Sequence, residues 1–106
     1  MKAFFLAVAL AIPMTASADL ADELSDLVGW EIMWSGRVTG HQDAQGKQSD
    51  DYEGCDFDMK LILDDTYTVT CNSFHYAYAY NPRAVLMRNG SRLKLIVKDK
   101  AFNVTR

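Results

Sequence analysis

Histidine and cysteine occur only twice each in this chain of 106 residues, as His41, His75, Cys55 and Cys71, and that scarcity excludes most chemistry at the outset. The cysteines do not form a C-x-x-C pair, so a redox dithiol motif is missing. Serines are present without a G-x-S-x-G elbow, and neither histidine sits in a recognisable nucleophile–base arrangement. A zinc site assembled from His41, His75 and the cysteines fails because a disulfide would remove the thiolates. Nothing matches the spacing of an EF-hand loop. Internal repeats, low-complexity segments and interdomain linkers are also lacking. No enzyme activity, no metal site and no cofactor is expected.

A long apolar run is missing too. Lys2 supplies a positive start, Ala3 to Met14 form a twelve-residue apolar stretch, and Ala16-Ser17-Ala18 offers small residues before Asp19. As a helix that stretch would cover about 18 Å of a hydrocarbon core about 30 Å thick, too little for a span. The pattern is that of a cleaved signal peptide over residues 1–18. Without a cysteine after the small residues, a lipid has no attachment point. The expected product is a soluble periplasmic or secreted protein over residues 19–106, with no membrane span in its mature form, long enough for one small domain.

In an oxidising compartment Cys55 and Cys71, sixteen positions apart, read as one structural disulfide. Closing such a loop is worth about 3 kcal/mol on the chain-entropy model, a large share of a small domain's stability. Charge is divided unevenly: residues 19–65 hold thirteen acids and three bases, residues 66–106 one acid and seven bases. Two halves that fold against each other and partly neutralise explain this division without a partner. A net negative exported chain lacks the dominant basic footprint of a nucleic-acid binder.

The first element reads as a short helix. Leu20, Leu24, Leu27 and Val28 share one face, Asp19 can cap, and Gly29 stops the run; the apolar face should dock on a sheet. From Trp30 the period becomes two, with Trp30, Ile32, Trp34 and Val38 alternating against Glu31, Met33, Ser35 and Arg37 as a half-buried strand. Asp43-Ala44-Gln45-Gly46 carries a type I turn signature, making Thr39 to Gly54 a polar hairpin.

The next hairpin is the best specified. Cys55, Phe57, Met59, Leu61 and Leu63 fall on one face, and Tyr67, Val69 and Cys71 on one face of the returning strand. Only a three-residue connection, Asp64-Asp65-Thr66, aligns the two apolar faces. Cys71 then sits opposite Met59, leaving Cys55 about 13 Å further along an extended strand, beyond disulfide reach. Either the chain bends sharply between Gly54 and Asp58, or Cys71 ends its strand and turns inward. Further strands follow over Phe74–Tyr80, which Pro82 breaks, then Ala84–Arg88, a turn at Asn89-Gly90 that would set Leu86 against Leu93, and a final strand carrying Phe102 and Val104 after Lys98-Asp99. The predicted fold is all-β and mainly antiparallel: an N-terminal short helix and a meander of six to seven strands forming a small barrel or sandwich, with one disulfide.

Two features remain as candidate sites. Phe74, Tyr76, Tyr78 and Tyr80 alternate with His75, Ala77 and Ala79. If the alanines face inward, the rings form a large exposed patch; if the rings face inward, they build the core. Arg83, Arg88 and Arg92, with Lys94, could rim such a patch for an anionic ligand. Five carboxylates between Asp50 and Asp58 could hold a divalent cation, or form a solvated edge that discourages aggregation.

The strings Gly54-Cys55-Asp56, Asp64-Asp65, Val69-Thr70-Cys71, Tyr78-Ala79-Tyr80-Asn81-Pro82 and Ala84-Val85 resemble short exported proteins of proteobacteria to which no activity is assigned. That resemblance spans the chain from about Leu27 onward. It implies a secreted single domain with the cysteine pair and carries over no functional residue. The expected function is a non-catalytic binding or interaction module using Tyr76, Tyr78, Tyr80, Arg83, Arg88 and Arg92, its partner an exported protein, peptide or glycan. The alternatives are an inhibitor that inserts the Asp43–Gly46 tip into an exported enzyme, and a cation binder using the acidic loop.

Overall fold

The computed structural model describes residues 19–106; the expected signal segment, residues 1–18, lies outside them. One helix, α1 (Leu20–Ser25), precedes nine strands: β1 (Glu31–Gln42), β2 (Gln48–Ser49), β3 (Tyr52–Cys55), β4 (Lys60–Leu63), β5 (Tyr67–Cys71), β6 (His75–Ala79), β7 (Arg83–Asn89), β8 (Arg92–Val97) and β9 (Lys100–Thr105). All pairings are antiparallel, in the order β2-β1-β4-β5-β9-β8-β7, and β7 pairs back onto β1. Six strands thus close a barrel, β2 extends it, and β3 and β6 leave it to form a separate two-stranded ribbon.

Closure depends on the length of β1. Its first half, Glu31 to Arg37, pairs with β7, and its second half, Val38 to Gln42, pairs with β4. Gly36 lies at the changeover, where a Cβ would strike the Asp64 carboxylate and the Trp34 ring. With that space free, Asp64 accepts hydrogen bonds from the Arg37 backbone N–H at 3.0 Å and from Trp34 Nε1 at 3.2 Å. The tip of the β4–β5 hairpin is thereby tied to β1. Inside the barrel Val38, Leu61, Leu63, Val69, Leu86, Leu95, Val97 and Val104 form the core, together with Tyr52 and the two cysteines.

The β4–β5 hairpin has the expected three-residue connection, with Leu63 opposite Tyr67 and Leu61 opposite Val69. Cys71 remains the last residue of β5, and its N–H donates to Met59 at 2.8 Å. The bend falls between Cys55 and Met59. The Met59 N–H closes a turn onto Asp56 O at 3.0 Å, and Asp58 takes a left-handed φ of 67°. That turn folds Cys55 back, and Cys55 and Cys71 are bridged with their Cα atoms 5.6 Å apart. Phe57, placed by alternation beside Met59, is consequently exposed.

Three other expectations need correction. The apolar face of α1 is not buried: Leu20, Leu24 and Val28 are exposed and Leu27 is half-buried, and Leu20, Leu24 and Leu27 border an open groove whose other wall carries Ile96 and Ala101 with Lys94, Lys98 and Asp99. The period-two reading of β1 fails at Ile32, which is exposed, because a register shift between Ile32 and Trp34 changes the face. In the β7–β8 hairpin Asn89 pairs with Arg92, so Gly90-Ser91 is the loop and Leu86 faces Leu95 rather than Leu93. Gly90, at φ 65°, takes the first loop position that requires a positive φ.

Gly54 carries the heaviest backbone constraint. It stands at φ 96°, and a Cβ there would collide with the His75 carbonyl and the Tyr76 Cα. Gly54→Ala should cost about 1–3 kcal/mol in urea denaturation. Gly90→Ala, at φ 65° with nothing within 4 Å of the new Cβ, should cost only the positive φ itself, about 1 kcal/mol. Equal losses would contradict the close β3–β6 contact.

Candidate functional site

Strand β6 pairs with β3 through Tyr52–Ala79, Gly54–Tyr76 and Cys55–His75. Opposed residues point to the same face of a ribbon, so Tyr52, Cys55, His75, Ala77 and Ala79 all turn toward the barrel. Ala77 and Ala79 pack on its core, and the His75 ring meets Phe102 at a centroid distance of 4.7 Å. The tyrosines are left outside. Tyr76, Tyr78 and Tyr80 are 70 %, 59 % and 72 % exposed, and Phe74 is 66 % exposed. The small residues at 77 and 79 decide this outcome, since they let the ribbon lie close to the barrel. The second edge of β6 carries no strand among the described residues.

Beneath the stripe, Tyr52 Oη lies 3.1 Å from His75 Nε2. Burial pushes the Tyr52 hydroxyl up to about 12, so it keeps its proton. Desolvation, and then the nearby charge of Lys100, hold His75 below its ordinary 6.5. A neutral imidazole and a phenol can share one hydrogen bond in either sense, the direction following the tautomer. Neither histidine is placed beside a serine nucleophile by any hydrogen bond among the described residues.

The arginines do not converge. Arg83 begins β7 close after the stripe, but Arg88 lies five residues on, about 17 Å along an extended strand. There Arg88 Nη2 contacts Glu31 at 2.7 Å, and Arg92 stacks over Trp30 at 5.3 Å with Lys94 on the same ring at 4.7 Å. The expected rim therefore reduces to Arg83. Exposed pairs of this kind add little stability, but they bring the acidic first half of the chain against the basic second half.

Two further features were not legible beforehand. The first is a cleft of about 500 Å³ at one barrel end, lined by Trp34, Leu63, Val69, Leu86, Leu93 and Arg106 among others. It opens because β5 and β9 pair only at Thr70–Thr105 and Cys71–Val104, whereas β7 and β8 pair at six positions. The second lies toward the other end. One ring nitrogen of His41 and one carboxylate oxygen from each of Asp51 and Glu53 lie within 4.8 Å of one another. His41 is buried, with Nδ1 2.8 Å from the Asp51 carbonyl oxygen. Asp50, Asp56 and Asp58 of the acidic segment are exposed and stand outside this group. The residues were visible, but alternation alone did not bring His41 to the acids. The hairpin pairing His41–Ser49 does so, since it delivers the chain to Asp51 two residues later.

Comparison with protein-family models, with curated proteins and with solved structures returns no match. Among the described residues no helix is long and apolar enough to cross a membrane.

The imidazole of His75 yields a pH prediction. Because the folded state disfavours the protonated ring, the unfolded chain binds more protons as pH falls through 6.5. Stability should therefore decline in that window and level off once the folded ring also protonates. Thermal melts should show this slope in the wild type and a flatter one in His75→Gln. An identical slope in both would place the titrating group elsewhere.

Proposed function

We propose that the protein is an exported, non-catalytic binding module, and that its partner is an extended polypeptide segment of another exported protein, added alongside β6. The observation that supports this most is the coincidence of two features on one short strand. Tyr76, Tyr78 and Tyr80 present exposed rings at alternate positions, and the same strand is paired on one edge only. An incoming strand would gain main-chain hydrogen bonds from the open edge and side-chain contacts from the rings. A glycan would use the rings alone. Tyrosine suits the role because it offers large amphipathic contact with few rotatable bonds. Arg83, exposed where β7 begins, favours an acidic residue at the corresponding end of the partner segment.

A second reading draws on the β1–β2 tip. Asp43 Oδ1 accepts from the N–H groups of Gln45 at 3.0 Å and Lys47 at 2.8 Å, and Gln42 Nε2 donates to Gly46 O at 3.1 Å. Such a preorganised, exposed tip is what an inhibitor inserting into an enzyme cleft would require.

Peptides selected from a displayed random library against the oxidised protein test the first reading. Selected peptides should perturb the amide resonances of residues 75–80. Tyr76→Ser with Tyr78→Ser should weaken them at least about tenfold, the scale of lost aromatic anchors, while changing stability by no more than about 0.5 kcal/mol per site. Binders that perturb the Asp43–Lys47 tip instead, or affinity unchanged in the double variant, would overturn it.

A further inference from the structure

The geometry points to a binding site for one divalent ion of the zinc class, formed by His41 Nε2 with the carboxylates of Asp51 and Glu53, independent of the tyrosine strand. A carbonyl oxygen can only accept, so the 2.8 Å contact between His41 Nδ1 and the Asp51 backbone oxygen requires the proton on Nδ1. In the neutral ring Nε2 then carries the free lone pair. A backbone carbonyl behind the ring is the usual way a ligating histidine is oriented.

The second observation is the pair of carboxylates beside that ring, one of them with a buried oxygen that has no partner. The His41 side chain is 6 % exposed, and its Nε2 stands 4.0 Å from Glu53 Oε1, too far for a hydrogen bond. Asp51 Oδ1 is buried with no hydrogen-bond partner, 3.4 Å from Nδ1. A buried carboxylate oxygen without a donor is costly, and drawing the Asp51 carboxylate onto a cation held at Nε2 would offset that cost. Ligands about 2.0–2.1 Å from a tetrahedral ion lie about 3.3 Å from one another. The observed group lies within 4.8 Å, so binding would draw the Glu53 carboxylate, 44 % exposed, and the Asp51 carboxylate, 24 % exposed, in toward Nε2.

Ligand chemistry selects the ion. One imidazole nitrogen and two carboxylates suit Zn²⁺ and its transition-metal neighbours, whereas Ca²⁺ requires six to eight oxygens. Three protein ligands would leave a fourth position for water. The group also lies where an ion would brace the fold, since His41 belongs to β1 and Glu53 to β3.

Calorimetric titration of the untagged, oxidised protein with Zn²⁺ alone, and separately with Ca²⁺, provides the test. One Zn²⁺ per chain should bind, a long-range ¹⁵N spectrum should show His41 Nε2 shifting, and Ca²⁺ should produce neither effect. Glu53→Gln and Asp51→Asn should each weaken Zn²⁺ at least about tenfold, a loss seen even for groups that only orient ligands. His75→Gln should leave it unchanged. Because Glu53 is the most exposed of the three, Glu53→Gln should melt like the wild type without metal, which separates lost binding from lost fold. Absence of stoichiometric Zn²⁺ binding, Ca²⁺ binding in its place, or affinity indifferent to Glu53→Gln in a folded variant would overturn the assignment.

Discussion

The bond between Cys55 and Cys71 is the constraint on which the candidate sites depend. It joins the last residue of β3 to the last residue of β5, cross-linking the ribbon to the barrel in addition to the main-chain connections at the ends of β3 and β6. A strand pair alone is marginally stable in water. The β3–β6 ribbon adds to the bond a footing in the core, through the fully buried Tyr52 and through Ala77, Ala79 and the His75–Phe102 contact. Constraining the unfolded chain by about 3 kcal/mol is a large effect for these few residues. The bond fixes where β3 lies; on that footing Ala77 and Ala79 turn the tyrosines outward, and the His41–Ser49 pairing brings Asp51 to His41.

The same bond accounts for the departure from a simple meander. Had the chain run straight from Cys55 into Leu63, the cysteines would lie too far apart to join, as parity of the β4–β5 hairpin requires. The Asp56–Met59 turn resolves the conflict by ending β3 and starting β4 in a different sheet. His75 to Ala79 then pairs with β3 rather than continuing around the barrel, and β9 takes the vacant place beside β5. That late partner contacts β5 at only two positions, which leaves the cleft at the far end. One covalent link thus shapes both ends of the molecule.

Much of the fold was legible because local rules and hydrophobic period agreed. The Asp64-Asp65-Thr66 loop followed from parity and the Asp43–Gly46 turn from its composition, while disulfide reach left open a bend within Gly54–Asp58 or an inward turn at Cys71, and the bend is found between Cys55 and Met59. What failed depended on non-local facts. Ile32 was misplaced because a β-bulge leaves no hydrophobic signature, and Leu86 was paired with Leu93 because Asn89-Gly90 and Gly90-Ser91 both suit a two-residue loop. The face of the tyrosine stripe was ambiguous in principle: alternation assigns two faces but not which is inside. Alanine against tyrosine settled it only once the ribbon lay on the barrel. His41 was separated from Asp51 and Glu53 by a hairpin whose register spacing alone does not specify.

The ribbon is a separate two-stranded unit cross-linked to the barrel by the disulfide. Amide hydrogen exchange on the oxidised and the reduced protein measures this strand by strand. On reduction, Tyr52–Cys55 and His75–Ala79 should lose protection while β7, β8 and β9 retain most of theirs. Uniform loss across all strands, or a ribbon as protected as before, would contradict it.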